Sequence, residues 1–179
     1  MKHPFKPFFD KNSKILILGS FPSIKSREMG FYYQNKSNRF WRILEALYNL
    51  EKEELKDIKT QQNFLKKHNI ALWDITQSCE IKNSSDSTIK NAKINDLSLI
   101  LNEAKIEKIV INGKKALELF QKSSFYQKHS LKEGILHYKQ SEIKILALPS
   151  SSSANAKFKL DTLIKEYEKL KKISKNIQV

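Results

Sequence analysis

The chain has 179 residues, of which 40% are hydrophobic and 29% charged, a composition that suits one packed domain and argues against a disordered chain. Its single cysteine, Cys79, excludes an internal disulfide and a site with four cysteine ligands, and the four histidines lack the spacing of metal ligands. The formal net charge of +14 attracts polyanions, although a lysine-rich chain can be this basic without a nucleic-acid partner.

Targeting signals are absent from the sequence as we interpret it. No apolar run approaches the roughly 20 residues that a membrane helix needs. Residues 1–10 begin basic and lack the apolar stretch and the cleavage site of a signal peptide. We therefore expect a cytoplasmic protein that uses no membrane, no metal and no cofactor.

The first predicted element is a buried strand over residues 14–18, a run of isoleucine and leucine that ends at Gly19. A loop rich in serine and proline follows over residues 20–26, and an aromatic segment comes next over residues 31–33. An amphipathic helix is predicted over residues 40–48, because its apolar side chains recur with the helical period.

The middle of the chain contains a second buried strand, predicted over residues 70–74. Before it, the charged residues 51–68 indicate one exposed helix or two short ones. After it, residues 76–92 are polar and irregular and predict a long loop, which a helix over residues 94–103 follows.

A third strand over residues 107–111 leads into a helix over residues 114–122, whereas residues 123–142 show no clear pattern. A fourth strand over residues 143–148 ends at a proline, and a final helix is predicted over residues 157–175. We interpret as a solvated face the lysines at 165, 169, 171, 172 and 175.

Strands and helices thus alternate four times, which is typical of an α/β fold with a parallel sheet. We predict a three-layer α/β/α sandwich around a four-stranded parallel sheet. Ligands of such sheets bind beyond the carboxyl ends of the strands. The loops after the first, second and fourth strands are therefore where a functional site is expected.

Several segments carry a family resemblance when they occur together in this order. They are the loop Gly-Ser-Phe-Pro-Ser at 19–23, the segment Asn-Arg-Phe-Trp at 38–41 and the segment Pro-Ser-Ser-Ser-Ser at 149–153. With Phe-Tyr-Tyr at 31–33 and Ala-Leu-Trp-Asp-Ile at 71–75, the pattern resembles the uracil-DNA glycosylase superfamily and is most similar to its hypoxanthine-DNA glycosylases. The resemblance covers nearly the whole chain and implies the strand order 2-1-3-4.

The resemblance implies an enzyme of base excision repair that hydrolyses the N-glycosidic bond of a deaminated base in DNA. Hypoxanthine is the first candidate for that base, and uracil is the second. Such an enzyme takes the base out of the stack and holds it in a pocket. We expect one DNA glycosylase domain over residues 1–179 that acts as a monomer. No lysine is placed to form a Schiff base, so lyase activity is not predicted.

Two residues are candidates for catalysis. Mismatch-specific members of the superfamily place a water-holding asparagine where this sequence has Phe21, which cannot position water. The resemblance therefore implies that the catalytic amide is Asn38, which can orient a water or bind a purine edge; the alternative is a helix N-cap. Asp74 ends the second strand and can accept from a base N–H or act as a general base, with a cap of the next turn as its alternative.

The candidates for base binding are Gly19, Ser20, Phe21 and Tyr33. The resemblance places Tyr33 where the superfamily stacks a ring on the base, and the alternative is that the ring packs over the core. Backbone N–H groups at Gly19 and Ser20 can donate to the base or to a phosphate. For Ser20 a plain turn is the alternative.

The candidates for DNA binding are Ser23, Ser150, Ser151, Ser152, Ser153, Asn155 and Lys157. The resemblance likens the serine run at 150–153 to a motif that grips DNA phosphates, to whose oxygens hydroxyl groups can donate. The alternative is a flexible serine linker. Asn155 is also a candidate to cap the last helix, and Lys157 adds positive charge.

Two other functions compete with base excision. Because Phe21 replaces the amide, the chain can also be interpreted as a non-catalytic nucleic-acid-binding module on the same fold. A second alternative is an α/β enzyme that acts on a small phosphorylated metabolite. The sequence lacks the glycine-rich phosphate loop that such an enzyme often uses.

Overall fold

The computed structural model describes residues 1–82, 85–129 and 131–171. The strands are β1 (Ile15–Gly19), β2 (Ile70–Asp74), β3 (Thr76–Glu80), β4 (Lys90–Ile94), β5 (Lys108–Asn112), β6 (Leu131–Lys132), β7 (Ile135–Tyr138) and β8 (Ser141–Leu148). The α-helices are α1 (Ile24–Met29), α2 (Phe40–Leu47), α3 (Ile58–Lys67), α4 (Ser98–Leu101), α5 (Lys114–Lys122), α6 (Ser124–Lys128) and α7 (Leu160–Tyr167). Short 3-10 helices cover Asp86–Thr88 and Glu168–Leu170. Within these ranges no helix is long and apolar enough to cross a bilayer.

The four predicted strands correspond to β1, β2, β5 and β8, which lie side by side in the order β2-β1-β5-β8. All three pairings between them are parallel. The predicted strand order 2-1-3-4 is therefore confirmed for these strands. Because they are parallel, their carboxyl ends come out at one edge of the sheet, where Gly19 pairs with Asp74.

Among the described residues the sheet has six strands, so the prediction of four was wrong. β7 pairs antiparallel with β8, and β6 pairs antiparallel with β7. Both added strands come from the region 123–142, where no pattern was clear. β7 alternates between buried Leu136 and Tyr138 and exposed His137, which is the pattern of a strand covered on one face. Its four residues are too few for that alternation to be recognised in the sequence.

The core forms on both faces of the central strands. Every residue of β2 and of β5 is buried, so both faces of the sheet are covered, as the predicted sandwich requires. Helix α3 packs against β2, and α5 packs against β5. Helices α2 and α7 contact each other and contribute Phe40 and Tyr167, two of the largest fully buried side chains.

Two segments between the sheet strands differ from the prediction. The antiparallel pair β3–β4 begins in the predicted loop 76–92, ends at Ile94 just beyond it and forms a separate two-stranded sheet. Its strands were missed because they are polar and largely exposed, and register shifts interrupt their pairing. The helix predicted over 94–103 is limited to α4.

The last helix begins later than predicted. Residues 157–159 precede it, because Lys159 has an extended backbone and α7 starts at Leu160. Asn155 therefore does not cap this helix, and its predicted role as a candidate cap is wrong. Lys172 and Lys175, at the predicted far end, lie outside the described residues.

Candidate active site

A cleft of about 580 Å³ lies at the carboxyl ends of the parallel strands. The ends of β1, β2 and β5 and the loop after β8 all contribute to its walls. The predicted site residues that line it are Gly19, Ser20, Phe21, Ser23, Tyr33, Asn38, Asp74, Ser150, Ser151, Ser152 and Asn155. The fold thus brings together in one cleft segments that lie far apart in the sequence.

Two predicted DNA-binding residues are not among the described residues that line the cleft. The Ser153 hydroxyl lies 3.0 Å from the Ser37 hydroxyl. This contact joins the serine loop, residues 150–153, to the segment before α2. The Lys157 ammonium lies 5.9 Å from the ring centre of Phe158, which does line the cleft. Both residues therefore lie beside the cleft.

Gly19 allows two side chains to approach the end of β1. A Cβ atom at this position would overlap the Asp74 Oδ1 oxygen and would lie 3.1 Å from the Tyr33 hydroxyl. The carboxylate and the phenol therefore occupy the space that a larger residue would fill. This contact explains why glycine stands at the end of the strand.

Asp74 is buried, and only 4% of its surface is exposed. Its Oδ2 oxygen lies 2.9 Å from His3 Nε2, and His3 Nδ1 lies 2.8 Å from the Phe5 carbonyl. The carboxylate therefore binds a histidine, and among the described residues it caps no turn. This arrangement leaves Oδ1, above Gly19, as the oxygen that His3 does not hold.

His3 was missed because it reaches Asp74 from a segment that the sequence does not connect with the site. The N-terminal segment pairs with the sheets through Lys2 opposite Ser78 and Phe8 opposite Leu72. The His3 ring also makes an edge contact with Phe21 at 5.7 Å. Phe21 thus helps to fix this histidine while it lines the cleft.

Tyr33 lies on the cleft wall with its ring stacked on Phe40, 3.9 Å between centres and 22° from parallel. One face of the ring is therefore covered, and only the other face can stack on a base. Burial, with a contribution from the Asp74 charge, holds the pKa of the Tyr33 phenol well above its usual value. The hydroxyl thus stays protonated at neutral pH.

Replacing Tyr33 by alanine is expected to weaken capture of the base by about 1–3 kcal/mol, the range for stacking a base on an aromatic ring. The measurement compares binding of DNA with a non-cleavable inosine analogue and binding of undamaged DNA. Tyr33→Phe keeps an aromatic ring at this position, whose backbone has a positive φ of 58°. This variant should therefore bind like the parent. Equal losses for both variants would mean that the ring does not stack.

Asn38 lies one residue before Arg39, the N-cap of α2, so its predicted alternative as the N-cap is wrong. Its Oδ1 oxygen accepts a hydrogen bond of 3.0 Å from the backbone N–H of Phe40, so the amide supports the start of α2. The side chain also lines the cleft. Among the described residues, none accepts a hydrogen bond from its Nδ2 nitrogen. Helix support therefore fixes the oxygen and leaves the nitrogen as the available donor.

Arg39 holds the serine loop, a role that the sequence did not reveal. Its backbone N–H and its Nε donate to the Ser151 carbonyl at 3.0 and 3.2 Å. Its terminal nitrogens donate to the carbonyls of Ser152, Asn155 and Phe158. These bonds hold the loop in place, so it is not a flexible linker.

Removing this side chain is expected to destabilise the fold. Arg39→Ala leaves several carbonyls without their charged donor, and hydrogen bonds to charged groups contribute about 1.5–3 kcal/mol each in favourable cases. We expect a loss of about 2–4 kcal/mol in urea unfolding. Arg42→Ala, at an exposed position of the same helix, is the control. Equal stability of the two variants would contradict the role of Arg39.

Asn112, at the end of β5, joins the serine loop to the sheet. Its Oδ1 oxygen accepts from the Ser151 N–H at 3.0 Å and from the Tyr167 hydroxyl at 2.9 Å. Its Nδ2 nitrogen donates to the Ser151 hydroxyl at 3.0 Å. Ser151 is buried and fully engaged in this way, so it shapes the loop from within. The signal in the sequence was a polar residue directly after a buried strand.

Other predicted residues also have partners within the fold. The Ser23 hydroxyl accepts from the Ser26 N–H at 3.2 Å and caps α1. The Asn155 side chain donates to the Ser150 carbonyl at 2.9 Å. The Ser20 hydroxyl donates to Asp86 Oδ1 at 2.7 Å.

Asp86 belongs to the segment between β3 and β4, in which no site residue was predicted. It lines the cleft together with Ser85 and Ser87. Burial raises the pKa of the Asp86 carboxyl, the Ser20 hydrogen bond lowers it in part, and the Asp74 charge raises it further. Of the described residues that line the cleft, two carry carboxyl groups, Asp74 and Asp86. No set of histidine, cysteine and acidic side chains in the described ranges is arranged to hold a metal ion.

Comparisons with known proteins agree with this geometry. The family model of the Uracil DNA glycosylase superfamily matches residues 6–175. Two proteins named "Hypoxanthine DNA glycosylase" are similar to the chain. The one from Methanosarcina barkeri (strain Fusaro / DSM 804) is 36% identical over 157 residues, covering 86% of this chain and 88% of that protein. The one from Methanosarcina acetivorans is 35% identical over 161 residues, covering 88% and 90%.

The fold is also that of a solved structure. A solution NMR structure of a Methanosarcina acetivorans protein, assigned as a uracil DNA glycosylase, superposes with a TM-score of 0.70 at 29% identity. The match covers 96% of this chain and 99% of that one. With a matching family model along most of its length and relatives above 30% identity, the chain belongs to the uracil DNA glycosylase superfamily.

Proposed function

We propose that this chain is a monofunctional DNA glycosylase that releases hypoxanthine from deoxyinosine, with uracil as its second substrate. The observation that carries the proposal is the single cleft that gathers Gly19, Tyr33, Asn38 and Asp74 at the strand ends. The similarity to two proteins named hypoxanthine DNA glycosylase, along most of both lengths, favours the purine. The proposal includes a single domain that acts as a cytoplasmic monomer without a metal ion.

The cleft has the size that this reaction needs. Its volume of about 580 Å³ lies within the usual range for small-molecule sites, and the substrate base must leave the stack to enter it. The free face of Tyr33 supplies the stacking surface. The base can therefore bind in the cleft without entering the packed core of the protein.

The reaction separates charge between the sugar and the base, and the cleft offers one group for the departing base and one for the attacking water. As the bond between C1′ and the base nitrogen breaks, the sugar becomes positive and the base takes the electron pair. In the proposed mechanism Asn38 Nδ2 donates to the departing base, which stabilises its negative charge. Asp74 Oδ1 accepts the proton of the water that adds to C1′. Asp74 then releases that proton to solvent and the base takes one up from solvent, so that a free base and an abasic sugar result.

The serine loop is suited to phosphate contacts. The Ser150 hydroxyl oxygen accepts from the Ser152 N–H at 3.2 Å, and the Ser152 hydroxyl oxygen accepts from the Ala154 N–H at 3.3 Å. Each hydroxyl keeps its own hydrogen for a phosphate oxygen. Lys114 and Lys115, at the start of α5, line the same cleft and add positive charge.

Binding to DNA is expected to weaken as salt rises, with a logarithmic slope of about −0.9 for each phosphate neutralised. Fluorescence anisotropy between about 50 and 200 mM salt measures this slope. Lys115→Ala should reduce its magnitude by about 0.9. Lys139→Ala is the control, because Lys139 lies between β7 and β8, at the end of the sheet opposite the cleft. The cleft is not the DNA site if only the control changes the slope.

A panel of damaged duplexes tests the proposed function. Each carries hypoxanthine, uracil, xanthine or a mismatched thymine at one position, and alkaline cleavage of the resulting abasic site reports excision. We expect the fastest excision from the hypoxanthine duplex and slower excision from the uracil duplex. Binding to all four without excision from any would favour the non-catalytic module.

A further inference from the structure

Asp86 is a carboxyl group in the cleft to which the proposed reaction assigns no role. It belongs to the 3-10 helix between β3 and β4 and lines the cleft together with the serine loop after β8. Its carboxyl group is held to the first-strand loop through the hydrogen bond from Ser20, 2.7 Å long. A side chain fixed in this way can recognise a particular edge of a base.

The Ser20 bond distinguishes the two oxygens of Asp86. A serine hydroxyl that donates to Oδ1 makes Oδ1 the acceptor of the pair. Among the described residues, none donates to Oδ2. If the group carries a proton, the proton therefore belongs on Oδ2, the oxygen that remains for a ligand.

The chemistry of the cleft favours this protonated form during base release. Asp74 lies in the same cleft, and two carboxyl groups that share a desolvated site do not both ionise readily. The departing base gains negative charge, which would be repelled by a second carboxylate. Burial already raises the pKa of Asp86, and the charged groups that act on it are Asp74, which raises it further, and Lys115, which lowers it.

We propose that Asp86 is a specificity residue, whose acid form donates from Oδ2 to the carbonyl oxygen that deamination places on C6 of hypoxanthine. This inference rests on the proposed function. Adenine carries an amino group at the same position, and an amino group donates hydrogen bonds. A fixed donor at Oδ2 therefore matches the damaged purine and opposes the undamaged one.

Two substitutions at Asp86 test the role. Asp86→Asn keeps an acceptor for Ser20 and places an N–H donor where the acid places its O–H, so it should release hypoxanthine within a few-fold of the parent rate. Asp86→Ala removes the donor and should slow single-turnover release about 10²-fold. Asp161→Asn and Asp161→Ala, at an exposed position in the first turn of α7, are matched controls.

The dependence on pH separates this role from a merely structural one. The parent should lose activity as pH rises through the raised pKa of Asp86, because the donor is present only below it. Asp86→Asn should lack this alkaline loss, since an amide does not titrate there. If the Ser20–Asp86 bond served the structure alone, the dependence of activity on pH would be the same in Asp86→Asn as in the parent.

The experiments distinguish a failure of the proposed function from a failure of the inference about Asp86. If the parent releases no hypoxanthine, the proposed function fails. If the parent is active and Asp86→Ala is equally active, or Asp86→Asn is as slow as Asp86→Ala, the inference about Asp86 is overturned. Asp86→Asn should keep the melting temperature of the parent, whereas Asp86→Ala should melt at a lower temperature because the Ser20 hydroxyl loses its acceptor. Affinities for a duplex with an abasic analogue should match that of the parent for both variants.

Discussion

Replacing Asn38 by alanine is expected to slow hypoxanthine release by about 10²–10³-fold, the usual loss when one stabilising donor is removed from a reacting charge. The reason is the fixed orientation of the amide, whose oxygen is held by the Phe40 N–H and whose nitrogen is the available donor. Phe21 occupies the position at which an amide is expected in mismatch-specific relatives, so it offers no substitute. Single-turnover kinetics at saturating enzyme measure the loss.

A second substitution at this position identifies which amide atom acts. Asn38→Asp keeps an oxygen for the Phe40 N–H but replaces the nitrogen donor by an acceptor. It should be as slow as Asn38→Ala while keeping the stability that the alanine variant loses, about 0.5–1.5 kcal/mol for one hydrogen bond. If Asn38→Ala lowers only the stability and leaves the rate intact, Asn38 serves the helix alone.

Gly19→Ala is expected to reduce activity about 10²-fold, because displacing a catalytic group by roughly 1 Å can cost that much. The new methyl group would occupy the position of Asp74 Oδ1, so the carboxylate must move. Its bond to His3 would be disturbed with it. Overpacking of this kind should also cost about 1–3 kcal/mol of stability, measured by urea unfolding beside the rate.

Gly30→Ala is the matched control for this substitution. Its Cβ would meet no atom within 4 Å, although its φ of 73° is unfavourable for alanine. The control should therefore lose stability without losing rate. If Gly19→Ala retains the parent rate, the position of the Asp74 carboxylate is not critical and its proposed role in accepting a proton fails.

The parts of the fold that the sequence predicted are those with a strong local signal. The central strands are continuous apolar runs, because both faces of the sheet are covered, and such runs stand out in a basic chain. The β3–β4 pair lacks this signal because it is polar and irregular in register. The early start predicted for the last helix arose from counting Phe158 among its inward-facing apolar residues, whereas Phe158 precedes the helix.

The residues of the candidate site divide in the same way, into those with a local signal in the sequence and those without one. Gly19, Asp74 and the serine loop were predicted because they lie at the ends of buried strands, which meet at one edge of a parallel sheet, and because they belong to segments that carry the family resemblance. His3 and Asp86 were missed because their partners are distant in sequence: the His3–Asp74 contact spans 71 residues and the Ser20–Asp86 contact spans 66. Such pairs arise from tertiary packing alone. No local pattern in a single sequence indicates them.

Identification of the products formed by the parent protein tests the central claim most directly. A duplex with one deoxyinosine is incubated with excess protein, and mass spectrometry follows the base and both strands. Hydrolytic excision predicts free hypoxanthine, an intact strand with one abasic site and no covalent complex after borohydride treatment. Tight binding with the deoxyinosine strand unchanged would contradict the account, because the cleft would then hold DNA without breaking the glycosidic bond.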